Sequence, residues 1–143
     1  MSDPPIQSLV LSRTSEANLA SLVTLNEDLE SCGRAAGIPD QVIMQVCLVL
    51  EELITNTVKY GYPDGREGRI AVTAALSPGI LTLQVADDGD PFDPASAPEP
   101  DLDSPIDQRP AGGLGLYLIR QLADTFGYER RGGSNVVTIT KRF

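Results

Sequence analysis

The side chains of Glu52 and Asn56 are chemically functional, and their spacing in the sequence could let them act together. They are four residues apart in a largely apolar, helix-forming segment, so they share one helix face, one turn apart. A carboxylate can act as a general base, and an amide oxygen can ligate Mg²⁺ without adding charge. Taken alone, such a pair is more often part of a solvated helix surface, where Glu and Asn are common. The pair therefore indicates a site only if other residues join it.

A second candidate group, Asp87 and Gly89, lies where an apolar segment ends. A carboxylate at the end of a strand can accept a hydrogen bond from an exocyclic amine. A glycine just after it lets the backbone approach a flat ligand closely. The alternative is an acidic turn, because Asp, Gly and Pro are ordinary turn residues.

Gly112, Gly113 and Gly115 form a third group, directly before an amphipathic segment. Glycines at the beginning of a helix expose backbone N–H groups, and the helix dipole favours an anion there, so this segment could bind phosphate. It is not a G-x-x-x-x-G-K-[ST] loop, and the alternative is a flexible hinge. The stretch 90–113 is rich in Pro, Asp, Ala and Gly, which is typical of a lid or a surface insertion.

Hydrophobic periodicity and turn residues predict the elements that would position these groups. We expect strands at 6–12, 69–77, 80–87, 127–131 and 135–142, and helices at 15–36, 39–60 and 114–125. This order predicts an α+β fold, a two-layer α/β sandwich in which three helices cover one face of a mainly antiparallel mixed sheet. We expect residues 1–143 to form a single domain.

Composition narrows the class of function. The chain of 143 residues carries a net charge of −9, which argues against nucleic acid or an anionic membrane as a partner. No apolar run approaches the ~20 residues of a membrane span, and the N-terminus lacks the basic and apolar segments of a signal peptide. With only Cys32 and Cys47, a reduced, cytoplasmic setting is expected. Because histidine is absent, a Ser-His-Asp triad, a histidine-ligated metal and phosphorylation on histidine are excluded.

The order of the three groups is more specific than any one of them. A helix with Glu-x-x-x-Asn, a strand ending in Asp-x-Gly, a long loop and then Gly-x-Gly at a helix start together resemble the Bergerat-type ATP-binding domain of the GHKL, or histidine-kinase-like ATPase, superfamily. The closest match within it looks like the small bacterial anti-sigma-factor serine kinases. The similar stretches are EELITNTVKYGY, VADDGDPFDP, GGLGLYLIRQLAD and YERRGGSNVVTITKRF.

This resemblance implies roles for the candidate residues. Asn56 would ligate the Mg²⁺ that bridges the phosphates of ATP, and Glu52 would be the catalytic general base toward a protein serine hydroxyl. Asp87 would bond the adenine amino group, and Gly89 would let the base lie against the backbone. Residues 92–112 would form the mobile ATP lid. The glycine-rich segment that would approach the phosphates consists of Gly113, Leu114 and Gly115.

The sequence departs from the family pattern at three places. Pro91 replaces the second glycine of an Asp-x-Gly-x-Gly box, which stiffens the base of the lid. Ala111 stands where some of the kinases carry an arginine, and Arg109 is the nearest substitute. A threonine common on the family's late strand has no clear match, and either Asn135 or Val136 falls there.

The resemblance implies an ATP-dependent serine/threonine protein kinase and anti-sigma regulatory factor. Such a protein would phosphorylate an anti-anti-sigma partner and sequester a sigma factor, and it could form a homodimer through its first helix and outer sheet face. The alternative is a non-catalytic ATP- or ADP-binding regulatory module, which Pro91 and Ala111 favour. A sensor histidine kinase fits less well, because the chain has no histidine to act as its own acceptor.

Overall fold

The structure is a computed structural model that describes residues 7–96 and 115–143. Within them, strands and helices follow one another in the predicted order. The strands are β1 Ser8–Glu16, β2 Arg69–Ser77, β3 Ile80–Asp87, β4 Thr125–Arg131 and β5 Ser134–Arg142, and the helices are α1 Ala20–Ala35, α2 Asp40–Asn56 and α3 Gly115–Leu122.

The sheet has the strand order β1-β2-β3-β5-β4, and each of these neighbouring pairs is antiparallel. The predicted α+β architecture is thus confirmed, and within the described residues the sheet is antiparallel rather than mixed. Side chains alternate between the two faces along β3, where Leu81, Leu83, Val85 and Asp87 are buried. Asp87 therefore points the same way as the core residues of its strand, although it is an acid.

Helix α2 forms the centre of the helix layer and packs against α1, α3 and β3. Its apolar residues recur with a helical period and are almost completely buried; they include Val42, Val46, Val49, Leu50, Leu53 and Ile54. They join the inward-facing residues of the sheet in one hydrophobic cluster. Because burial of each large aliphatic side chain contributes roughly 1.5–3 kcal/mol, the core holds in place the helix that carries Glu52 and Asn56.

Length and composition alone would allow the helical segment Asp40–Gly61 to cross a membrane, with a mean hydropathy of 1.3. The sequence pattern predicts that no apolar run is long enough to span a membrane. By length and composition, this prediction is wrong. Nearly half of the most apolar stretch, 44%, is buried inside the fold. The position of α2 between α1 and α3 accounts for its apolar character, since a central core helix meets the same criteria.

The boundary between the first strand and the first helix differs from the prediction. β1 continues to Glu16 rather than ending at residue 12, because it pairs with β2 as far as Arg69. α1 accordingly begins at Ala20 rather than at residue 15. Asn18 Oδ1 accepts a hydrogen bond from the Ser21 N–H at 3.0 Å beside this helix start. The polar residues that the predicted helix included at this boundary therefore belong to β1 instead, because they pair with β2.

The end of the third helix differs for the same reason. α3 ends at Leu122 rather than at residue 125, and β4 begins at Thr125 rather than at residue 127. Thr125 lies opposite Thr140 of β5, and the Asp124 N–H donates to the Thr140 carbonyl at 2.8 Å. Here too, hydrogen bonding to the sheet overrides the local helical pattern.

Helix α2 does not continue as a regular α-helix to residue 60. A single wider turn of π-helical type, Thr57–Gly61, follows Asn56. Such turns are rare and occur often at functional sites. The carbonyl of Gly61 accepts a hydrogen bond from the Asp90 N–H at 2.8 Å, so this turn connects the end of α2 to the loop that follows β3.

Candidate functional site

The first described residue of α3 lies against the Glu52 and Asn56 pair of α2. A Cβ atom on Gly115 would stand 3.0 Å from both Asn56 Nδ2 and Glu52 Oε2. Real Cβ contacts are seldom so short, so a side chain at this position would push against both groups. The fold thus brings together two of the sequence-predicted groups that are far apart in the chain.

Asn56 is buried without using its hydrogen-bonding capacity. It is 1% exposed, and neither its Oδ1 nor its Nδ2 has a partner among the described residues. Leaving such a group unpaired costs about 1–3 kcal/mol. The alternative interpretation, that this residue lies on a solvated helix surface, is therefore wrong. Mg²⁺ accepts amide oxygens as ligands, so the chemistry of Asn56 fits a cation bound beside it.

Glu52 lies one helical turn before Asn56 and is half-buried. Burial raises the pKa of its carboxyl above the ordinary value, and the neighbouring charge of Glu51 raises it further. A carboxylate with a raised pKa holds a proton more strongly, which suits a general base. One turn of α2 therefore offers a proton acceptor and a cation ligand side by side.

Asp87, at the end of β3, is 7% exposed. Its Oδ1 accepts hydrogen bonds from the Gly89 N–H at 2.8 Å and from Asn135 Nδ2 at 2.9 Å. Burial raises the pKa of this carboxyl, whereas those two hydrogen bonds and the charge of Arg130 act in the opposite direction. Oδ2 accepts no hydrogen bond within the described part of the chain, so it could accept one from the exocyclic amine of a ligand.

The backbone at Gly89 lies against Gly61. A Cβ atom on Gly89 would be 2.8 Å from the Gly61 carbonyl oxygen and 2.9 Å from Asp87 Oδ1. Arg130 Nη1 also donates to the Gly89 carbonyl at 2.8 Å. Packing of the protein itself therefore requires glycine here, and a close approach to a flat ligand stays a prediction.

A second set of contacts fixes the same loop from its other side. The Asp88 carboxylate accepts hydrogen bonds from the Tyr62 hydroxyl and from the Arg69 N–H, the latter at 3.0 Å. Arg66 Nη2 donates to the Asp88 carbonyl at 2.9 Å. The hydrogen bond from Tyr62 is the main cause of the lowered pKa of Asp88. Pro91 thus follows a loop that tertiary contacts already hold in place.

A narrow cavity joins Asn56 to Asp87. Its volume is about 10 Å³, enough for roughly one water molecule. Its lining includes Phe92 and Pro94, which follow β3, and the apolar side chains of Leu53, Val85 and Val137. A purine base is larger than a water molecule, so the cavity has to widen for one to bind between Asn56 and Asp87.

The sequence left open whether Asn135 or Val136 takes the late-strand position. The β3–β5 register places Asn135 opposite Asp87 and Val136 opposite Ala86. Asn135 is 3% exposed, lines the cavity and bonds to Asp87, so it is the residue of the two that reaches the site. The alternation of β5 contained the signal, because Asn135 has the same parity as the apolar residues Val137 and Ile139.

Two aromatic residues at the cavity were not singled out from the sequence. The rings of Tyr60 and Phe92 are stacked, with centroids 4.3 Å apart and planes inclined by 17°. The Phe92 N–H donates to Asn135 Oδ1 at 3.1 Å. No local pattern pairs these residues, since Tyr60 follows α2 and Phe92 follows β3.

Residues 97–114 lie outside the described part of the chain. They include most of the predicted lid and five residues considered above: Arg109, Ala111, Gly112, Gly113 and Leu114.

A metal ion at this site would need ligands besides the protein. Within the described residues there is no group of three or more Cys, Asp or Glu side chains that could hold one. Phosphate oxygens together with Asn56 Oδ1 would supply the oxygen ligands that Mg²⁺ prefers.

Comparisons with known proteins concern the family and the fold of the chain. The family model of the histidine kinase-like ATPase domain matches residues 15–141. Serine/threonine-protein kinase BtrW of Bordetella bronchiseptica is 32% identical over 93 residues, which cover 65% of this chain and 66% of that protein. Serine-protein kinase RsbW of Bacillus subtilis is 31% identical over 94 residues, which cover 62% of this chain and 58% of that protein. The chain thus spans somewhat less than two thirds of the length of these relatives.

A crystal structure of the RsbU and RsbW domains of a Mycobacterium tuberculosis protein superposes with a TM-score of 0.63. The match has 20% identity and covers 98% of this chain and 32% of the other, so it speaks for the fold alone. The family model, in contrast, covers most of the chain by sequence. The chain belongs to the histidine kinase-like ATPase domain family.

Proposed function

We propose that this chain is an ATP-dependent serine/threonine protein kinase and anti-sigma regulatory factor. It would phosphorylate a serine of an anti-anti-sigma partner and sequester a sigma factor. One observation carries the proposal: the buried, unpartnered Asn56 lies against Gly115 and also lines the cavity that reaches Asp87. The relatives named as serine kinases support serine as the acceptor.

ATP and Mg²⁺ are the proposed cosubstrate and cofactor. Asp87 Oδ2 would accept a hydrogen bond from the adenine amino group, beside the backbone of Gly89. Asn56 Oδ1 would hold Mg²⁺, and the N–H groups of the segment 113–115 would bind phosphate at the beginning of α3. When bound, Mg²⁺ supplies neutralisation of the phosphate charge.

Glu52 would remove the proton of the serine hydroxyl. As the proton passes to its carboxylate, the serine oxygen forms a bond to the γ-phosphorus. The bond from the γ-phosphorus to the bridging oxygen breaks, and ADP leaves. Phosphoryl transfer depends mainly on positioning and electrostatic stabilisation, which the proposed Mg²⁺ and the N–H groups at the beginning of α3 would supply. The raised pKa of Glu52 suits this task.

We also propose one ATPase domain over residues 1–143, with the lid at about 92–112, in a cytoplasmic setting. The single sheet and single hydrophobic cluster of the described residues support one domain. Cys32 and Cys47 are both free thiols, in line with a reducing compartment.

A homodimer is part of the proposal. Leu19 and Val23 lie one turn apart near the start of α1 and are 54% and 62% exposed. The face of β2 that points away from the core carries short, uncharged side chains at Ala71, Thr73 and Ala75. Both surfaces could accept a second copy without burying a charge.

The direct test is incubation of the protein with Mg²⁺, γ-labelled ATP and its cognate antagonist. Label on a serine of the antagonist, lost in Glu52→Gln, is the expected result. Failure of the wild type to label any serine would contradict the kinase. A sigma factor that co-elutes with the protein in the presence of ATP would support sequestration, and separate elution would count against it.

A second candidate is a regulatory module that binds ATP or ADP without phosphoryl transfer. The departures from the family pattern at Pro91 and Ala111 favour it. Nucleotide binding by calorimetry, with no label transferred in the same buffer, would select this alternative over the kinase.

A further inference from the structure

The side-chain amide of Asn135 makes four hydrogen bonds in the buried end of the β3–β5 pair. Nδ2 donates to Asp87 Oδ1 at 2.9 Å and to the Asp90 carbonyl at 2.8 Å. Oδ1 accepts from the Phe92 N–H at 3.1 Å and from the Tyr128 hydroxyl at 2.7 Å. An amide group has two donors and two acceptor lone pairs, so its full capacity is used.

These bonds hold the side chain of Asp87 and the main chain a few residues after it against one residue of β5. One partner is the carboxylate proposed to recognise the adenine amine. Two others, the Asp90 carbonyl and the Phe92 N–H, lie on either side of Pro91, which has no N–H of its own to donate. The main chain at the base of the proposed lid is therefore bonded to the same amide that bonds Asp87.

The hydrogen bonds to Asp87 fix the orientation of its carboxylate. Gly89 N–H and Asn135 Nδ2 both donate to Oδ1, which fixes the plane of the carboxylate and leaves Oδ2 without a partner among the described residues. A carboxylate at position 135 could not donate, and a single hydroxyl could not donate twice while also accepting two bonds. An amide is the side chain that meets all four partners.

We propose that Asn135 is a positioning residue for nucleotide recognition: it turns Asp87 Oδ2 toward the exocyclic amine of the base and simultaneously fixes the main chain on both sides of Pro91. This inference rests on the proposed ATP site. It goes further by assigning preference for a 6-aminopurine to a residue that need not touch the nucleotide.

The test compares ATP with purine riboside triphosphate, which lacks the 6-amino group, by calorimetry in the presence of Mg²⁺. The wild type is expected to bind ATP about tenfold or more tightly than the analogue, since one hydrogen bond to a charged acceptor is at stake. In Asn135→Ala, the two affinities should come within about threefold of each other, chiefly because ATP binds more weakly.

The control variant is Thr138→Val. Thr138 lies on the same strand and accepts a hydrogen bond from Gln84 of β3 on the outer face of the sheet, so the change removes a cross-strand bond away from the cavity. It should leave the preference for ATP unchanged. If Asn135→Ala weakens both ligands equally and keeps the wild-type ratio, Asn135 is only structural and the inference is wrong. No binding of ATP by the wild type would instead overturn the proposed function.

A measurement on the wild type keeps the inference testable if Asn135→Ala does not fold. The side-chain NH₂ protons of Asn135 should exchange with solvent at least about tenfold more slowly than those of Asn18, both without ligand and with Mg²⁺ and ATP. Rapid exchange in the ATP complex would show that the amide releases Asp87, which contradicts the proposal.

Discussion

At the scale of single residues, the site consists of polar groups whose burial costs stability. Asn56 is buried without partners, and Asp87 is a buried acid that uses one of its two oxygens. The raised pKa values of Asp87 and Glu52 have the same first cause, removal of the carboxyl from water. The proposed nucleotide and cation would give Asn56 and Asp87 Oδ2 the partners that the described residues do not supply.

Replacing Asn56 with leucine should stabilise the ligand-free protein and remove its response to nucleotide. The change deletes an unpaired buried amide, which is worth about 1–3 kcal/mol. Saturating Mg²⁺ and ATP, at 100 times the Kd, should stabilise the wild type by about 2.7 kcal/mol and leave Asn56→Leu unaffected. Thermal melting with and without ligand measures both effects.

Asn26 of α1 provides the matched control, because its Oδ1 is also buried without a partner. Asn26→Leu should alter the melting temperature of the free protein while keeping the shift caused by Mg²⁺ and ATP. A full ligand shift in Asn56→Leu would rule out a role for this amide.

Asp87→Asn and Asp88→Asn should have opposite effects on stability at neutral pH. Burial raises the pKa of Asp87, so the wild type loses stability as pH rises from the ordinary aspartate value through the raised one, and Asp87→Asn avoids this loss. The Tyr62 hydroxyl lowers the pKa of Asp88, so its contribution is present above the ordinary value and is lost as pH falls through the lowered one.

Denaturant titrations at about pH 4 and pH 7 check these signs. Asp87→Asn should be the more stable form at pH 7 and Asp88→Asn the less stable one, with both differences smaller near pH 4. Equal behaviour of the two variants would show that the environments of the carboxyls are not as described. Asp87→Asn should also lose ATP binding, because an amide nitrogen would then face the adenine amine.

The pH dependence of phosphoryl transfer should report Glu52. The rate must rise with pH as the carboxylate forms, and the midpoint should lie above the ordinary value for glutamate because burial and Glu51 raise the pKa. Glu51→Gln removes the charge of Glu51. The acid limb of the pH–rate profile of this variant should therefore move to lower pH, while its plateau rate stays unchanged. Glu52→Gln should lower the plateau by about 10²–10⁴-fold. Single-turnover kinetics distinguish these outcomes, and an unshifted limb in Glu51→Gln would contradict the assignment.

At the scale of elements, the site depends on how α3 begins. Gly115 is the first described residue of α3, and a Cβ atom there would contact Asn56 and Glu52 of α2. Glycine is a poor helix former, so its presence here opposes local propensity. The close approach to α2 explains why the position nevertheless lacks a side chain.

Gly115→Ala should therefore weaken nucleotide binding although it favours the helix. The added Cβ would lie 3.0 Å from Asn56 Nδ2 and from Glu52 Oε2, so both groups must shift. We expect the affinity for ATP to fall by about tenfold or more, a free-energy change of ~1.4 kcal/mol, with little change in melting temperature. Gly127→Ala is the control, since the Thr138 carbonyl oxygen, 4.0 Å away, would be the nearest atom to its Cβ apart from its neighbours in the chain. Calorimetry with both variants would expose an error if the two bound ATP equally well.

At the scale of the whole molecule, apolar surface on the helix layer remains uncovered. Leu19 and Val23 of α1 are more than half exposed, as is Met44 of α2. Exposed apolar patches of this kind often mark interfaces with other proteins. The proposed homodimer and the proposed protein partners both require such a surface.

Light scattering should give a mass near twice that of the monomer at micromolar concentration. If α1 contributes to the interface, Val23→Lys should shift the protein toward the monomer by placing a charge in the apolar contact. Arg120→Glu, a charge reversal in the last turn of α3, is a control for altered charge away from that patch. A clean monomer for the wild type would contradict the dimer.

Local sequence was sufficient to predict the elements in which no tertiary contact overrides the local pattern. The predicted strands 69–77 and 80–87 are observed as Arg69–Ser77 and Ile80–Asp87, around a turn in which Gly79 has a φ of 71°. Alternating apolar residues and a turn glycine are signals carried by neighbouring residues. The helical spacing of Glu52 and Asn56 was likewise readable, because one turn of helix brings them together.

Only the tertiary structure decided the contacts between distant segments. β1 reaches Glu16 because β2 offers it a partner, and Asn135 rather than Val136 meets Asp87 because the β3–β5 register sets them opposite each other. The place of Phe92 in the lining of the cavity and the approach of Gly115 to α2 depend on how the layers pack. A one-dimensional pattern specifies which face a residue takes within its own element, whereas the neighbour across that face is set by packing and strand pairing.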